Sequence, residues 1–273
     1  MTVTAPPEER AMTDSGDDRQ WEVLKEQHGR RVLRLGGRIL RQAGWWTPAV
    51  HGLLRHLQDQ GFPYSPRVLG IDEYGREMLT YIDGESGAGG WSRIVDAEGL
   101  RRFAALLRSY HDAARDFRPA PGAEWACADR PLADGEIICH GDFGPWNVVW
   151  RDGLPVGILD WDFAGPGRPG DDIAYALEYC APFRDDESAM RWLGYSAPPD
   201  RRRRIEIFFE GYGTEPSTDV VDAVASRQLI DIGRIELLAE RGLEPQATWV
   251  STGLVGELQR RAQWTVDHRS LFE

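Results

Sequence analysis

Alternating apolar and polar residues near the start of the chain predict a small antiparallel β-sheet. Residues 32–35 and 38–41 alternate on either side of a Gly-Gly pair, a pattern typical of a β-hairpin. Residues 67–71 and 77–82 repeat the strand pattern around a second turn. Between the two pairs, a threonine and a proline followed by apolar residues at helical spacing predict a short amphipathic helix that ends at Gly61.

Beyond residue 90 the periodicity becomes mainly helical. A Gly-rich segment at 83–90 is expected to be a flexible junction, and an apolar stripe within 97–115 has helical spacing. Short strands are expected around loops at 136–139, 148–150 and 156–160. Further helices are expected at about 172–180, 202–212, 218–241 and 246–270.

These elements predict an α+β protein with two lobes and a cleft between them. Residues 1–18 are rich in Pro, Thr and acidic residues without periodicity, and we expect a flexible tail there. Residues 19–83 are expected to form a small N-terminal lobe with an antiparallel sheet. Residues 84–273 are expected to form a larger, mainly helical C-terminal lobe.

The charge of the chain narrows the function classes. The 273 residues carry a net charge of −12, which argues against a nucleic-acid binder. Residues 84–200 hold 20 acidic and 11 basic residues, so most of the acidity lies in the middle of the chain. No apolar run reaches the length of a membrane span and the start resembles no signal peptide, so a soluble, cytoplasmic protein is expected. The three cysteines have no metal-type spacing.

One segment carries the residues for phosphoryl transfer. Asp142 precedes Asn147 by five residues, and Asp160 ends the next apolar strand. Transfer from Mg-ATP requires an aspartate that orients the acceptor hydroxyl and two oxygen ligands for the magnesium that bridges the phosphates. Asn147 is the single asparagine of the chain. The alternative is that these residues serve only to turn the loop.

The segment HGDFGPWN…LDWDFAGPGRPGDDIAY, from His140 to Tyr175, resembles the aminoglycoside phosphotransferase and choline kinase superfamily. The resemblance implies a bilobal protein-kinase-like fold that passes the γ-phosphate of a nucleotide, ATP or possibly GTP, to a small-molecule hydroxyl. It also implies roles for single residues. They are Asp142 as catalytic base, Asn147 and Asp160 as Mg²⁺ ligands, Asp162 as an aid to a second metal, and His140 and Asp172 as braces of the loop.

The nucleotide site is expected at the junction of the lobes. By resemblance, the Thr80 carbonyl and the Ile82 N–H pair with the edge of the base; the alternative is an edge strand without a ligand. The family's phosphate-binding lysine has no equivalent, because the strand position holds Arg41. We expect Arg41 to replace it, against the alternative of a solvated strand arginine. No acidic residue occurs between residues 38 and 58, so Arg41 is expected to lack the usual glutamate partner.

The acceptor is less well defined by the sequence. The acidic surplus of the C-terminal lobe favours a cationic acceptor such as an aminoglycoside or choline, although the same surplus can simply maintain solubility. The leading prediction is an ATP-dependent O-phosphotransferase of the antibiotic-resistance type that acts on an amino sugar, as monomer or homodimer. The alternatives are a choline, homoserine or sugar kinase, and a degenerate kinase fold that binds a ligand without catalysis.

Overall fold

The computed structural model describes residues 21–27, 30–128, 130–216 and 218–273. The tail expected at residues 1–18 lies outside the described residues. Within them, no helix combines the length and the apolar character that crossing a lipid bilayer would require.

A five-stranded antiparallel sheet forms the N-terminal part of the fold. Its strands are β1 (Glu22–Gln27), β2 (Arg30–Leu35), β3 (Arg38–Gln42), β4 (Val68–Ile71) and β5 (Arg76–Thr80), in the spatial order β1-β2-β3-β5-β4. The helix α1 (Thr47–Asp59) begins with Pro48 in its first turn and buries Leu53, Leu54 and Leu57 in the core. Because β3 and β5 are antiparallel neighbours, Arg41 lies directly opposite Glu77.

Helices form most of the remaining chain. They are α2 (Ala88–Arg93), α3 (Ala97–Ala114), α4 (Pro169–Cys180), α5 (Asp186–Leu193), α6 (Arg201–Tyr212), α7 (Val220–Glu240), α8 (Gln246–Ser251) and α9 (Leu254–Asp267). The side chain of Asp96 caps α3 by accepting the Glu98 and Gly99 N–H groups. The buried faces of α1, α3, α4 and α6 share one hydrophobic core.

Two short antiparallel strand pairs hold the loops that carry the predicted site residues. They are β6 (Ile137–Cys139) with β9 (Gly165–Gly167), and β7 (Val148–Arg151) with β8 (Leu154–Ile158). Residues 140–147 connect β6 to β7, and residues 159–164 connect β8 to β9. Both connections therefore emerge beside each other, next to the N-terminal end of α4.

The predicted fold class, an α+β protein with a small antiparallel sheet and a larger helical part, is confirmed. Two local predictions are wrong. The junction expected to be flexible at 83–90 leads into α2, where Gly90 packs so closely that a Cβ would lie 2.0 Å from the Pro145 carbonyl oxygen. The single helix expected at 246–270 is two helices, because Gly253 with φ of 85° begins α9 and separates it from α8.

Candidate active site

A cavity of about 620 Å³ opens between the sheet and the helical part. Strands β1 to β3 line one side, and α4, α7, α8 and α9 line the other. At its centre lie the two loops that follow β6 and β8. Four of the residues singled out from the sequence line this cavity: Arg41, Asp142, Asp160 and Asp162.

Two neighbours hold the carboxylate of Asp142. The Tyr175 hydroxyl donates to Oδ1, and the Asn147 Nδ2 group donates to Oδ2 at 2.8 Å. Asn147 lies in the 3-10 turn Pro145–Asn147, and the same Nδ2 group reaches the Asp142 carbonyl at 2.9 Å. Removal from solvent and the nearby charge of Asp160 raise the pKa of Asp142 to about 7. Such a carboxyl can accept a proton near neutral pH.

The backbone of this loop is fixed from behind by Asp172, which is fully buried on α4. Its carboxylate accepts the N–H groups of His140 and Gly141, both at 2.8 Å, and the His111 Nε2 group at 3.1 Å. Burial alone would raise the pKa of Asp172, but the hydrogen bond and electrostatic interaction with His111 and the nearby charge of Arg227 hold it at about 2. The loop is therefore anchored on an ionised carboxylate.

His140 joins the two loops of the site. Its Nε2 atom is 2.9 Å from the Leu159 carbonyl, and its Nδ1 atom accepts the Asp142 N–H at 3.2 Å. Burial lowers the pKa of His140 to about 4, so the ring is neutral with its proton on Nε2. Gly141 packs against the second loop as well. Its φ is 80° and a Cβ would lie 2.0 Å from the Phe163 carbonyl oxygen, so no other residue fits there.

Asp160 and Asp162 occupy the loop after β8. Asp160 has φ of 60°, which is uncommon for a residue other than glycine, and its side chain is 45% exposed to the cavity. Asp162 is buried, and Arg41 and Arg30 bind its two oxygens at 2.7 and 2.9 Å. Burial opposes ionisation, but these arginines keep the pKa of Asp162 below its usual value.

The donor set suits a hard cation. Carboxylates of Asp160 and Asp162 and the amide oxygen of Asn147 are the oxygen ligands that Mg²⁺ prefers, and Mg²⁺ usually takes one or two carboxylates together with substrate phosphates. Across the part of the chain that the structure describes, no cluster of three or more His, Cys, Asp or Glu side chains is placed to hold a metal by itself. The metal-binding role of Asn147, Asp160 and Asp162 stays a prediction.

Arg41 has a glutamate partner, and the expectation that it would lack one is wrong. Its Nε atom donates to Glu77, which is fully buried on β5, and the other Glu77 oxygen is 2.9 Å from the His51 Nε2 atom on α1. Burial disfavours the guanidinium, but Asp162 and Glu77 raise the pKa of Arg41 further above its usual value. The partner comes from the neighbouring strand because the β3–β5 register places it there.

Thr80 and Ile82 lie at the end of the sheet and do not line the large cavity. The Thr80 N–H donates to the Arg67 carbonyl at 2.9 Å, and the Thr80 Oγ1 atom accepts the Arg67 N–H at 2.8 Å. The Ile82 side chain packs on Gly157, where a Cβ would lie 2.8 Å from it. Their backbone role toward a nucleotide base stays a prediction.

The lining of the cavity is not acidic, although the chain is. Seven basic and five acidic side chains line it. The basic ones are Lys25, Arg30, Arg31, Arg41, Arg184, Arg234 and Arg261, and the acidic ones are Asp142, Asp160, Asp162, Glu178 and Asp231. Lys25, the single lysine of the chain, precedes the predicted hairpin in sequence and lies on β1, where it lines the cavity. The acidic surplus of residues 84–200 is balanced here by arginines from both ends of the chain.

Sequence reasoning missed three partners. Tyr175 lies three residues after Asp172 on α4, so helical spacing could have placed the two near one loop. Glu77 and Arg30 approach the site from strands, and only the sheet register reveals them.

Comparisons with known proteins find a matching family model and similar sequences. The model of the "Phosphotransferase enzyme family" matches residues 122–207, which include both loops of the site. The "Trifolitoxin immunity protein" of Rhizobium leguminosarum bv. trifolii is 35% identical over 254 residues, which cover 89% of this chain and 93% of that protein. "Viomycin phosphotransferase" of Streptomyces vinaceus is 29% identical over 122 residues, which cover 40% of this chain and 42% of that protein.

Among solved structures, the GDP complex of aminoglycoside 2'-phosphotransferase-IIIa has a similar fold. The TM-score is 0.60 at 16% sequence identity, and the match covers 90% of this chain and 92% of that one. At this identity the likeness concerns the fold alone.

Proposed function

The chain belongs to the phosphotransferase enzyme family, and we propose that it transfers the γ-phosphate of ATP or GTP to a hydroxyl group of a small molecule. The observation that carries the proposal is the carboxylate of Asp142, held by Tyr175 and Asn147 at the floor of a cavity that also contains Asp160, Asp162 and Arg41. Phosphoryl transfer needs little else from a protein, because positioning and charge neutralisation supply most of its catalysis.

In this proposal Asp142 orients the attacking hydroxyl and accepts its proton. The Tyr175 hydroxyl and the Asn147 amide fix the two oxygens of the carboxylate, so that the remaining lone pairs face the cavity. Its pKa of about 7 leaves it able to take up a proton as the new O–P bond forms.

Arg41 is proposed to bind the nucleotide phosphates. Glu77, which His51 holds through its other oxygen, orients the Arg41 guanidinium. The fork of N–H groups can bind phosphate oxygens in a bidentate manner. Asp160, Asp162 and Asn147 would hold Mg²⁺, which neutralises the charge that develops on the transferred group. Asp172 and His140 are proposed to brace the loop rather than contact substrate.

The acceptor expected from the sequence is an aminoglycoside-type amino sugar. Two relatives are named as an antibiotic phosphotransferase and a toxin immunity protein. These names support an acceptor that is itself an antibiotic or a toxin. Since the cavity lining is not acidic, the expectation of a polycation has no support from its charge.

The test is ADP or GDP formation by the purified protein with Mg²⁺, measured with and without a panel of hydroxyl compounds. Asp142→Asn and Asp142→Ala should lose turnover by a factor of about 10³ or more while nucleotide affinity changes little. Asp112→Asn, an exposed carboxylate on α3, is the matched control and should behave as wild type. Normal turnover in both Asp142 variants would refute the mechanism.

A further inference from the structure

Two buried polar side chains on the helical side of the cavity have unsatisfied atoms. The Arg184 side chain is only 10% exposed, and its Nε and Nη2 atoms find no hydrogen-bond partner among the described residues. Gln228 on α7 is 5% exposed, and both polar atoms of its amide are likewise unsatisfied within the described ranges. Both residues line the cavity. Burying such groups without partners is unfavourable, so a ligand that pairs with them would relieve the cost.

Arg184 must share the nearest buried carboxylate with a second arginine. Its guanidinium lies 5.3 Å from the centre of the Tyr179 ring, and its Nη2 atom is 3.9 Å from Glu178. The same Glu178 oxygen is 3.2 Å from the Arg261 Nη1 atom. Two guanidinium groups thus share one buried carboxylate. Burial and the charge of Arg261 lower the pKa of Arg184, and the charges of Glu178 and Asp185 only partly oppose this shift.

We infer that the phosphate acceptor carries a carboxylate, which binds Arg184 and Arg261, and that it belongs to the amino-acid or peptide class of hydroxyl compounds. A planar carboxylate matches the guanidinium fork and adds one negative charge. Glu178 lies beside it and pairs with an ammonium group of the same molecule, whereas a doubly charged phosphate would be repelled more strongly there. The unsatisfied amide of Gln228 can both donate and accept, which suits a peptide group.

This carboxylate site lies within reach of the proposed chemistry. Glu178 and Tyr179 follow Tyr175 on α4 by three and four residues, which is about 4.5 and 6 Å along the helix axis. Tyr175 donates its hydroxyl to Asp142, and its ring lies 5.3 Å from the Tyr179 ring. One small molecule can therefore place a hydroxyl at Asp142 and a carboxylate at Arg184. The inference rests on the proposed function and names its acceptor.

The experiment compares probes that differ only in the carboxylate. L-homoserine and the peptide Ser-Gly-Gly are tested as free acids and as carboxamides, with kanamycin A and choline as purely cationic probes. Binding is measured calorimetrically in the presence of Mg-ADP, and ADP formation is measured with Mg-ATP. We expect the free acids to bind at least about tenfold more tightly than their amides, since a charge-assisted pair is lost.

Variants assign that preference to the site. Arg184→Gln should remove the difference between acid and amide, Arg184→Lys should retain part of it, and Gln228→Leu should weaken the tripeptide more than homoserine. The matched control is Arg108→Gln, an exposed arginine on α3 that should change nothing. Mg-ADP affinity measured on every variant shows that the fold is intact.

Equal binding of acids and amides, binding of the cationic probes alone, or no binding of any acid probe by protein that binds Mg-ADP would each overturn the inference. An acid preference that persists in Arg184→Gln would overturn it as well. Carboxylate-dependent binding without phosphate transfer to any probe would instead count against the proposed function and would still support the carboxylate site. The two failures are therefore distinguishable.

Discussion

Replacing Asp172 by Asn tests whether one buried carboxylate holds the loop that carries Asp142. The asparagine keeps a single acceptor oxygen, so an NH₂ group must face one of the N–H donors of His140, Gly141 or His111. One charge-assisted bond is lost and one buried N–H is left unsatisfied, at about 1–3 kcal/mol each. The pKa of about 2, against an ordinary value of 3.8, independently corresponds to about 2 kcal/mol at neutral pH.

We therefore expect Asp172→Asn to lower the free energy of unfolding by about 2–4 kcal/mol at pH 7 and the Tm by about 5–12 °C. The sign of the pH dependence follows from the lowered pKa. The carboxylate stabilises the fold above its unfolded pKa and ceases to do so as the pH falls through about 2. The difference between wild type and Asp172→Asn should thus narrow between about pH 4 and pH 2.

The assay is urea unfolding followed by tryptophan fluorescence at pH 7 and across the acid range, with ADP formation at pH 7 as the functional readout. Asp112→Asn, whose carboxylate is 45% exposed, serves as the control and should shift the midpoint little. A variant at Asp172 that unfolds at the wild-type urea concentration, or whose difference from wild type does not change with pH, would refute this account.

Three further changes probe other contacts of the site. Arg41→Ala should weaken Mg-ATP binding, measured by calorimetry, by about tenfold or more, and should leave the buried Glu77 with only one partner. Unchanged Mg-ATP affinity would contradict the assignment of Arg41 to the phosphates. Tyr175→Phe removes the hydroxyl that holds Asp142 and should lower kcat by about tenfold with little change in nucleotide affinity, so an unchanged kcat contradicts the positioning role. Gly141→Ala should give protein that is insoluble or inactive, because of its positive φ and the 2.0 Å contact; a fully active Gly141→Ala protein with wild-type Tm would show that the two loops separate easily.

The fold class and the site motif could be predicted because both depend on local pattern. The alternating strands, the Gly-Gly turn and the spacing of Asp142, Asn147 and Asp160 all lie within short stretches of sequence. A family resemblance added expected roles, which the experiments above test. The spacing of Asp172 and Tyr175 within one helix is equally readable from the sequence.

What the sequence could not provide depends on contacts between distant elements. Glu77 partners Arg41 only through the register of β3 and β5, and a search confined to the following helix cannot find it. The charge of the cavity is another example. The count over residues 84–200 is correct, but Arg30, Arg41 and Arg261 reach the cavity from outside that segment.

The ion pairs of Arg41 join the sheet to the loop that follows β8. One guanidinium binds Glu77 in the sheet and Asp162 in the loop after β8, and Arg30 adds a second link to Asp162. In the proposed function, an incoming triphosphate competes for the same cations, so its binding would exchange one anion for another at the contact between the sheet and this loop. Added salt, which weakens exposed and partly exposed ion pairs, should loosen the empty protein more than the nucleotide-bound one.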